Sequence, residues 1–223
     1  REMNLAKMID HTCLKADATA EHIVLLCNEA KKFGFKAVCI NPSYVAFAKE
    51  QLKDTEIAVA TVVGFPLGAN RWEIKREEAL LAIADGADEI DMVQNIAYVK
   101  DGRFDLVEAE IKKIRETLPK EVVLKVILET CLLSDDEIVE SSRAAQRAGA
   151  DFIKTSTGFS TGGAKVEDIL LMRKTVGEDM KIKASGGIRD LNKALSMLEA
   201  GANRLGISSS VSIMRELEER DEI

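Results

Sequence analysis

The sequence predicts an α/β protein in which residues 1–223 form one domain, a single-domain (β/α)₈ TIM barrel. Eight short apolar and β-branched runs alternate with longer amphipathic segments, and strands that alternate with helices favour a parallel sheet. The runs lack polar alternation, which is typical of strands buried on both faces. Eight units in 223 residues leave about 28 residues for each strand and helix, a length that suits a compact βα unit.

The strand-like runs are spaced regularly along the whole chain. They cover residues 7–12, 35–40, 57–63, 89–93, 122–128, 151–154, 181–184 and 203–207. A helix-like segment follows each run. An open doubly wound sheet is the alternative architecture, but the glycine-rich nucleotide fingerprint of that fold is missing. No linker or low-complexity tract indicates a second domain.

Capping signals mark the starts of several helices. The second helix-like segment begins at Asn41-Pro42, because proline suits the first helical position. The fifth begins with Ser134-Asp-Asp-Glu137, which is a capping box. The seventh begins at Asp190 and carries an apolar stripe with the i, i+3, i+4, i+7 spacing, at Leu191, Ala194, Leu195 and Leu198.

A short repeat separates a helix from the next strand in three of the units. It reads Asp85-Gly-Ala-Asp88, Ala148-Gly-Ala-Asp151 and Ala200-Gly-Ala-Asn203. Glycine is the expected left-handed residue just past the end of a helix. Each copy of the repeat therefore predicts a helix end followed by a strand.

The composition disfavours several classes of protein. Hydrophobic residues make up 46% of the chain and charged residues 31%, which is ordinary for a globular protein. The net charge is −7, no long basic run exists and only 4% of residues are aromatic, so a nucleic-acid-binding surface is not expected. No stretch approaches 18 consecutive apolar residues, so no membrane-spanning helix is expected. No signal-peptide pattern opens the chain.

The cysteines predict a reduced compartment. They are Cys13, Cys27, Cys39 and Cys131, and they form no Cys-x-x-Cys pair. With only two histidines there is no zinc spacing, so no metal and no cofactor are predicted. We expect a cytoplasmic protein. A homo-oligomer, either a dimer or a tetramer, is also expected, because closed symmetric assemblies are common among soluble proteins.

Ionisable residues stand at the ends of several predicted strands, where barrels of this kind place their active sites. Asp10 closes the first strand, and the others are Asp91 in the fourth strand, Lys125 and Glu129 in the fifth, Lys154 in the sixth and Lys183 in the seventh. A lysine within a buried strand is uncommon, because burial of an unpaired ammonium group is costly. The C-terminal end of the barrel is therefore the predicted site.

Two of these lysines, Lys154 and Lys183, lie on adjacent strands that should be about 4.8 Å apart. Each positive charge disfavours the other and desolvation acts in the same direction, so an amine with a lowered pKa is expected. Such an amine attacks carbonyl groups and forms Schiff bases. The alternative is that each lysine only forms an ion pair with Asp91 or Glu129 inside the barrel.

The roles of the remaining polar residues are less sharply defined by the pattern. Asp91 is either a structural counter-ion or a group that transfers protons, and its spacing leaves both open. For Lys125 an ion-pair role is favoured over a catalytic one. Cys39 is expected to be a core thiol, His11 a packed or hydrogen-bonded residue, and His22 a surface residue on a helix.

Two glycine-containing segments follow the seventh and eighth predicted strands. They are Ser185-Gly-Gly-Ile188 and Gly206-Ile-Ser-Ser209. Loops at these two places often bind phosphate in this fold, because their N–H groups and a helix N-terminus face the anion. The alternative is that they are ordinary turns. Residues 158–165 lack the adjacent Gly-Lys-Ser/Thr of a P-loop, so ATP binding is rejected and this loop, with Gly158, is expected to cover the site.

These motifs together resemble the deoxyribose-phosphate aldolase family over nearly the whole chain. The resemblance rests on motifs that occur in order at the predicted strand ends: Ile9-Asp-His-Thr12, Val38-Cys-Ile-Asn-Pro42, Val63-Gly-Phe-Pro-Leu-Gly68, Glu89-Ile-Asp-Met-Val93 with Asn95, Lys125-Val-Ile-Leu-Glu-Thr130, Phe152-Ile-Lys-Thr-Ser-Thr-Gly158, Lys183-Ala-Ser-Gly-Gly-Ile-Arg189 and Gly206-Ile-Ser-Ser209. Each motif alone is modest, but the set is highly specific.

The resemblance implies a class I aldolase that uses neither metal nor cofactor. Such an enzyme reversibly cleaves 2-deoxy-D-ribose 5-phosphate to acetaldehyde and D-glyceraldehyde 3-phosphate, so its partners are small phosphosugars and aldehydes. The resemblance also implies that Lys154 forms the Schiff base, that Lys183 lowers the pKa of Lys154, and that Asp91 transfers protons. It further implies that Asp10 contacts the substrate or the proton network. The implied phosphate pocket consists of Gly186, Gly187, Gly206, Ser208 and Ser209.

Two departures from the family pattern bear on substrate binding. Phe159 follows Gly158 where some members have a lysine, so phosphate binding is expected to depend more on backbone groups. Some members end in a tail with a terminal tyrosine, whereas the tyrosines here are Tyr44 and Tyr98. Proton transfer by such a tail is therefore not expected.

Three other functions remain as alternatives. The first is another Schiff-base phosphosugar aldolase of the transaldolase type. The second is a phosphosugar isomerase, which would need a glutamate base and no Schiff base. The third is a non-catalytic barrel that acts as a scaffold, although a scaffold has no reason to retain buried charges.

Overall fold

The computed structural model describes residues 4–222 and contains a closed barrel of eight parallel strands with strand order β1-β2-β3-β4-β5-β6-β7-β8. The strands are β1 (Ile9–Cys13), β2 (Ala37–Ile40), β3 (Ala58–Val63), β4 (Glu89–Val93), β5 (Val123–Ile127), β6 (Phe152–Lys154), β7 (Lys181–Ser185) and β8 (Arg204–Ile207). The predicted (β/α)₈ TIM barrel is confirmed, and each strand overlaps one predicted strand-like run, although β1 and β7 each extend one residue beyond theirs.

The helices lie outside the barrel, and each follows a strand; the last one comes after β8. They are α1 (Ala20–Phe33), α2 (Val45–Gln51), α3 (Trp72–Ala84), α4 (Ile96–Lys100), α5 (Phe104–Thr117), α6 (Asp135–Arg147), α7 (Val166–Val176), α8 (Leu191–Ala200) and α9 (Ser210–Asp221). Among residues 4–222, no helix is both long and apolar enough to cross a membrane.

The predicted capping signals are found at the helix ends. Ser134 caps α6, where its side chain accepts from the N–H of Glu137 and the side chain of Glu137 accepts in return. Asp190 caps α8 through the N–H of Lys193. The glycines of the three repeats, Gly86, Gly149 and Gly201, all have positive φ, so the repeat does end each helix.

The first, second and fourth units differ from the prediction in detail. A 3-10 helix at Leu5–Met8 precedes β1, so the strand begins two residues later than predicted. Leu5 is buried in the main core, which the apolar face of a short helix allows. A second 3-10 helix, Pro42–Tyr44, precedes α2. The fourth unit contains two helices, α4 and α5, instead of one.

The main core fills the layer between the barrel and the helices. It includes strand residues such as Ile90, Val126 and Ile182 and helix residues such as Ile111 and Ile169. A second, smaller cluster lies apart from it and consists of Leu14, Cys39, Ala60 and Val62, with Phe65 packed against them. Cys39 is therefore a buried core thiol, as the sequence predicts.

Candidate active site

A cluster of buried charges occupies the barrel and is contributed by six of the eight strands. Its cationic members are Lys125 on β5, Lys154 on β6, Lys183 on β7 and Arg204 on β8; its acidic members are Asp10 on β1 and Glu89 and Asp91 on β4. The register places Lys154 directly opposite Lys183 and Asp91 opposite Lys125. The predicted pairing of the two lysines on adjacent strands is confirmed.

Asp91 links three lysines. Its Oδ2 accepts hydrogen bonds from Lys154 Nζ at 2.9 Å and from Lys183 Nζ at 2.8 Å. Lys125 Nζ lies 2.9 Å from the other carboxylate oxygen. Burial would raise the pKa of Asp91, but the three ammonium groups hold it well below its ordinary value. Asp91 is therefore a carboxylate that bridges the lysine facing the cavity and the two lysines beneath it.

Lys125 and Arg204 hold the acidic residues deeper in the barrel. Lys125 Nζ lies 3.0 Å from Asp10 and 2.6 Å from Glu89. Arg204 donates to the same two carboxylates, at 2.9 Å and 2.7 Å. The predicted ion-pair role of Lys125 therefore fits its contacts. The sequence-based reasoning missed Glu89 and Arg204, although Glu89 lies two positions before Asp91 and so points to the same side of the strand.

Asp10 and Glu129 differ from the positions that the sequence predicted. Asp10 does not close β1, because the strand continues to Cys13, and its carboxylate accepts from Lys183 at 2.6 Å. Glu129 lies beyond the end of β5, and its backbone has a φ of 62°. Its carboxylate accepts from the N–H of Thr157 at 3.0 Å and from the hydroxyl at 2.6 Å. Glu129 therefore supports the loop after β6 and is not a partner of the lysines.

The cluster contains four cationic and three acidic side chains, so full ionisation would leave one positive charge in excess. A buried excess charge is costly, and the easiest way to remove it is to deprotonate one amine. Lys154 is the amine that the surroundings favour for this. Burial lowers its pKa, and the charge of Lys183 lowers it further, although Asp91 acts in the opposite direction.

Lys183 behaves differently from Lys154, although the two are neighbours. Burial alone would lower the pKa of Lys183, but the carboxylates of Asp10 and Asp91 raise it above its ordinary value. Lys183 donates to both of these carboxylates, whereas Lys154 donates to Asp91. Lys183 is therefore the more firmly protonated of the two lysines, and Lys154 is the one that deprotonates more readily.

A cavity of about 660 Å³ opens above the cluster at the C-terminal end of the barrel. Lys154 lines it and is 3% exposed. Lys183, Asp91 and Asp10 are fully buried, and none of them lines the cavity. Lys154 is thus the member of the cluster that a molecule in the cavity can reach, with Asp91 immediately behind it.

The predicted phosphate-binding loops form another wall of the same cavity. Gly186 and Gly187 line it after β7, Gly206 and Ser208 line it at the end of β8, and Gly158 lines it after β6. Ser209 belongs to the same loop but does not line the cavity. Gly158, Gly186 and Gly187 have positive φ, a backbone conformation that residues with a side chain rarely adopt.

The loop after β6 is held close to the loop after β7. The N–H of Ala164 donates to the carbonyl of Gly186 at 3.0 Å, and a Cβ on Gly163 would collide with that carbonyl group. Phe159 also lines the cavity, and its ring meets the ring of Phe65 edge-on at 5.5 Å. The cavity therefore has an aromatic rim at Phe159, the position where some members of the family that the sequence resembles have a lysine.

Gly206 has a second role, which the sequence did not indicate. A Cβ at this position would lie 2.9 Å from Lys183 Cε and 3.0 Å from Ser185 Cβ. Its missing side chain therefore makes room for the stem of Lys183. We expect Gly206→Ala to displace Lys183 and to lower kcat/KM by about 10- to 100-fold, since misplaced catalytic groups cost about that much. Steady-state kinetics of aldol cleavage would measure this loss.

A matched control for this substitution is Gly162→Ala. A Cβ on Gly162 would lie 3.1 Å from Cys131 Cβ and would not touch the charge cluster. We expect this variant to keep most of the activity. A Gly206→Ala enzyme as active as the Gly162→Ala enzyme would contradict the assigned role of Gly206.

The histidines lie where the sequence predicted them. His22 is exposed on α1, and its ring accepts from the N–H of Thr19 at 2.9 Å. His11 is buried and hydrogen-bonded on both ring nitrogens. Within residues 4–222, no group of three or more His, Cys, Asp or Glu side chains is arranged to hold a metal ion.

The chain matches the family model described as DeoC/LacD family aldolase over residues 4–214. It is 55% identical over 213 residues to the deoxyribose-phosphate aldolase of Geobacillus sp. strain WCH70, with 96% of each chain covered. It is 56% identical over 215 residues to the deoxyribose-phosphate aldolase of Aciduliprofundum boonei, with 96% of this chain and 97% of the relative covered.

A solved structure has the same fold. The deoxyribose phosphate aldolase of Aeropyrum pernix, which is described as a unique tetramer, superposes with a TM-score of 0.87 at 32% identity. The superposition covers 96% of this chain and 91% of that one. The match of the family model over nearly the whole chain and the identity to curated relatives lead to one conclusion: the chain belongs to the DeoC/LacD family of aldolases.

Proposed function

We propose that the chain is a class I deoxyribose-phosphate aldolase, a lyase that reversibly cleaves 2-deoxy-D-ribose 5-phosphate to acetaldehyde and D-glyceraldehyde 3-phosphate. One observation carries this proposal. Lys154 has a lowered pKa, lies directly against Asp91 and is the lysine of the buried cluster that lines the cavity. An amine in this state is a nucleophile for an aldehyde carbon.

In the proposed mechanism, the neutral amine of Lys154 attacks C1 of the open-chain sugar. Protonation of the carbinolamine hydroxyl and loss of water give a protonated Schiff base, which accepts the electron pair of the C2–C3 bond when that bond breaks. The C3 hydroxyl loses its proton and becomes the aldehyde of D-glyceraldehyde 3-phosphate. The enamine that remains on Lys154 takes a proton at C2, and hydrolysis of the iminium releases acetaldehyde, the free amine and a proton.

Asp91 is suited to move protons in these steps, and Lys183 contributes a positive charge beside it. Asp91 Oδ2 accepts a hydrogen bond from Lys154 Nζ, so it can take a proton from this amine before the attack and return it to the hydroxyl that leaves as water. Lys183 remains a cation and disfavours protonation of Lys154 before attack. Asp10 is fully buried and bonds to Lys183, so we assign it to holding Lys183 and not to direct contact with substrate.

The phosphate of the substrate would bind at the glycine loops. Gly186, Gly187, Gly206 and Ser208 line the cavity on one side, and α9 begins two residues after Ser208. Backbone N–H groups and the positive end of a helix favour a phosphate at such a place. This arrangement separates the two ends of the substrate, with the aldehyde at Lys154 and the phosphate at the loops.

We also propose that the chain works as one catalytic domain in a cytoplasmic homo-oligomer, a dimer or a tetramer. The related enzyme of Aeropyrum pernix is described as a tetramer, and the four cysteines of this chain are free thiols. Free thiols are usual in a reducing compartment. Light scattering on the purified protein would measure the oligomeric state.

The experiment that tests the proposed function is a Schiff-base trap. The protein is mixed with acetaldehyde and sodium borohydride, digested and mapped by mass spectrometry. We expect one reduced two-carbon adduct, on Lys154, because the other buried lysines do not line the cavity. The Lys154→Leu variant is the control and should carry no adduct.

Other results would change the assignment. An adduct on Lys183 would keep the aldolase chemistry but exchange the roles of the two lysines. A folded protein that forms no adduct would contradict the Schiff-base mechanism and would favour an isomerase or a non-catalytic barrel.

A further inference from the structure

A hydrogen-bonded chain outside the charge cluster connects α1, β1, β8 and α9. Its central member is His11, which is 2% exposed. His11 Nε2 lies 3.1 Å from Glu29 Oε1 on α1, and Nδ1 lies 2.8 Å from the hydroxyl of Ser210 on α9. The hydroxyl of Ser210 in turn donates to the carbonyl of Ile207, at the end of β8, at 2.9 Å. None of these contacts is used by the proposed Schiff-base chemistry.

The hydroxyl of Ser210 lies between His11 and β8, within hydrogen-bond distance of both His11 Nδ1 and the carbonyl of Ile207. The carboxylate of Glu29 can only accept a hydrogen bond, so the Nε2 atom that faces it carries a proton. The ring of Phe35 packs on the imidazole with a centroid distance of 4.9 Å and limits its rotation. His11 thus fixes the position of the Ser210 hydroxyl, and that hydroxyl fixes the carbonyl of Ile207.

The carbonyl of Ile207 and the N–H of Ser208 belong to the same peptide group. A peptide group is planar and trans, so the two point in opposite directions, and fixing one fixes the other. Ser208 lines the cavity at the proposed phosphate pocket. The orientation of this donor is therefore determined by His11, a buried side chain on the neighbouring strand β1 that also lines the cavity.

We propose that His11 is a positioning residue for the anion-binding loop at residues 206–209, acting through Ser210 on the peptide group between Ile207 and Ser208. The inference rests on the proposed function for the location of the phosphate. It assigns His11 to recognition of the phosphate end of the substrate and not to the reaction at Lys154. Glu29 holds the second nitrogen and sets the orientation of the imidazole ring.

Two substitutions of His11 test separately the hydrogen bonds that its two ring nitrogens make. Asparagine places its amide near the position of Nδ1, so His11→Asn keeps a partner for Ser210 and loses the contact with Glu29. Glutamine reaches the position of Nε2, so His11→Gln keeps the contact with Glu29 and loses the one with Ser210. Ser210→Ala removes the link from the other side. The asparagine variant is the matched control for the other two.

The measurements are KM and kcat for 2-deoxyribose 5-phosphate and for unphosphorylated 2-deoxyribose, together with the Kd of inorganic phosphate by calorimetry. We expect His11→Gln and Ser210→Ala to raise KM for the phosphorylated sugar and the Kd of phosphate by about five- to tenfold, the value of one hydrogen bond. We expect kcat and the kinetics with 2-deoxyribose to stay close to wild type. We expect His11→Asn, which keeps a partner for Ser210, to lose less phosphate affinity than His11→Gln.

Equal losses on both sugars would overturn the inference, because they would indicate a general structural role for His11. Unchanged phosphate affinity in folded His11→Gln would overturn it as well. If Ser210→Ala does not fold, the two variants at position 11 still decide the matter. A wild-type protein that binds phosphate but does not cleave the phosphosugar would contradict the proposed function, and the calorimetric comparison would still test the role of His11.

Discussion

Replacement of Lys154 by leucine is expected to abolish aldol cleavage without destabilising the protein. The substitution removes the proposed nucleophile, so we expect kcat to fall by at least about 10⁴-fold, as for other enzymes that lose the group forming the covalent intermediate. The cluster then contains three cationic and three acidic side chains, and Asp91 keeps its contacts with Lys183 and Lys125. We therefore expect a melting temperature equal to or above that of the wild type.

The matched control is Lys181→Leu, the same substitution at an exposed position of β7. This variant should keep wild-type kinetics. Residual cleavage by the Lys154→Leu enzyme at a tenth of the wild-type rate or more would exclude Lys154 as the nucleophile. A large loss of stability would contradict the argument that Lys154 is the cation in excess.

Replacement of Lys125 by methionine is expected to have the opposite effect on stability. Lys125 contacts all three carboxylates of the cluster, at distances of 2.6 to 3.0 Å. Its loss removes an ion-pair partner from all three buried carboxylates at once, and breaking a buried ion pair in this way costs about 3–5 kcal/mol. We expect the free energy of unfolding to fall by that amount, as measured by urea denaturation.

The comparison of the two variants is more informative than either alone. Both replace a buried lysine on a barrel strand by an apolar residue, so a general preference for lysine in the barrel would affect them equally. Both variants leave three cationic and three acidic side chains, but Lys125 contacts three carboxylates whereas Lys154 contacts Asp91, so we expect only the Lys125 variant to be less stable. If Lys125→Met is as stable as Lys154→Leu, the assignment of the excess charge to Lys154 is wrong.

The barrel could be predicted from the sequence because its signals are local. Runs such as residues 37–40 are apolar and buried on both faces, and the glycine repeats end helices just before three of the strands. The 3-10 helix at Leu5–Met8 and the division of the fourth unit into α4 and α5 were not predicted. Short helical turns depend on how an apolar side chain meets the core, and the sequence pattern contains little information about that contact.

The candidate site was predicted less completely, for a different reason. Lys154 and Lys183 occupy equivalent places at the ends of their strands, and only the resemblance to a family distinguished their roles. In the structure the distinction comes from depth, because Lys154 lines the cavity whereas Lys183 lies between Asp10 and Asp91. Arg204 and Glu89 were missed because their pairing at 2.7 Å joins β8 to β4 across the closed barrel.

The distribution of the charge cluster along the chain has a consequence for folding. Its members come from β1 near one end of the chain, from β4 to β7 in the middle, and from β8 near the other end. A half-formed barrel that buried β4 to β7 without β1 and β8 would leave Lys125, Lys183 and Glu89 each without one of their ion-pair partners in an apolar interior, which is unfavourable. Partly closed forms are thereby destabilised relative to both the unfolded chain and the complete barrel. The same charges that support the chemistry thus make closure of the barrel an all-or-none event, in which the first and last strands join the others together.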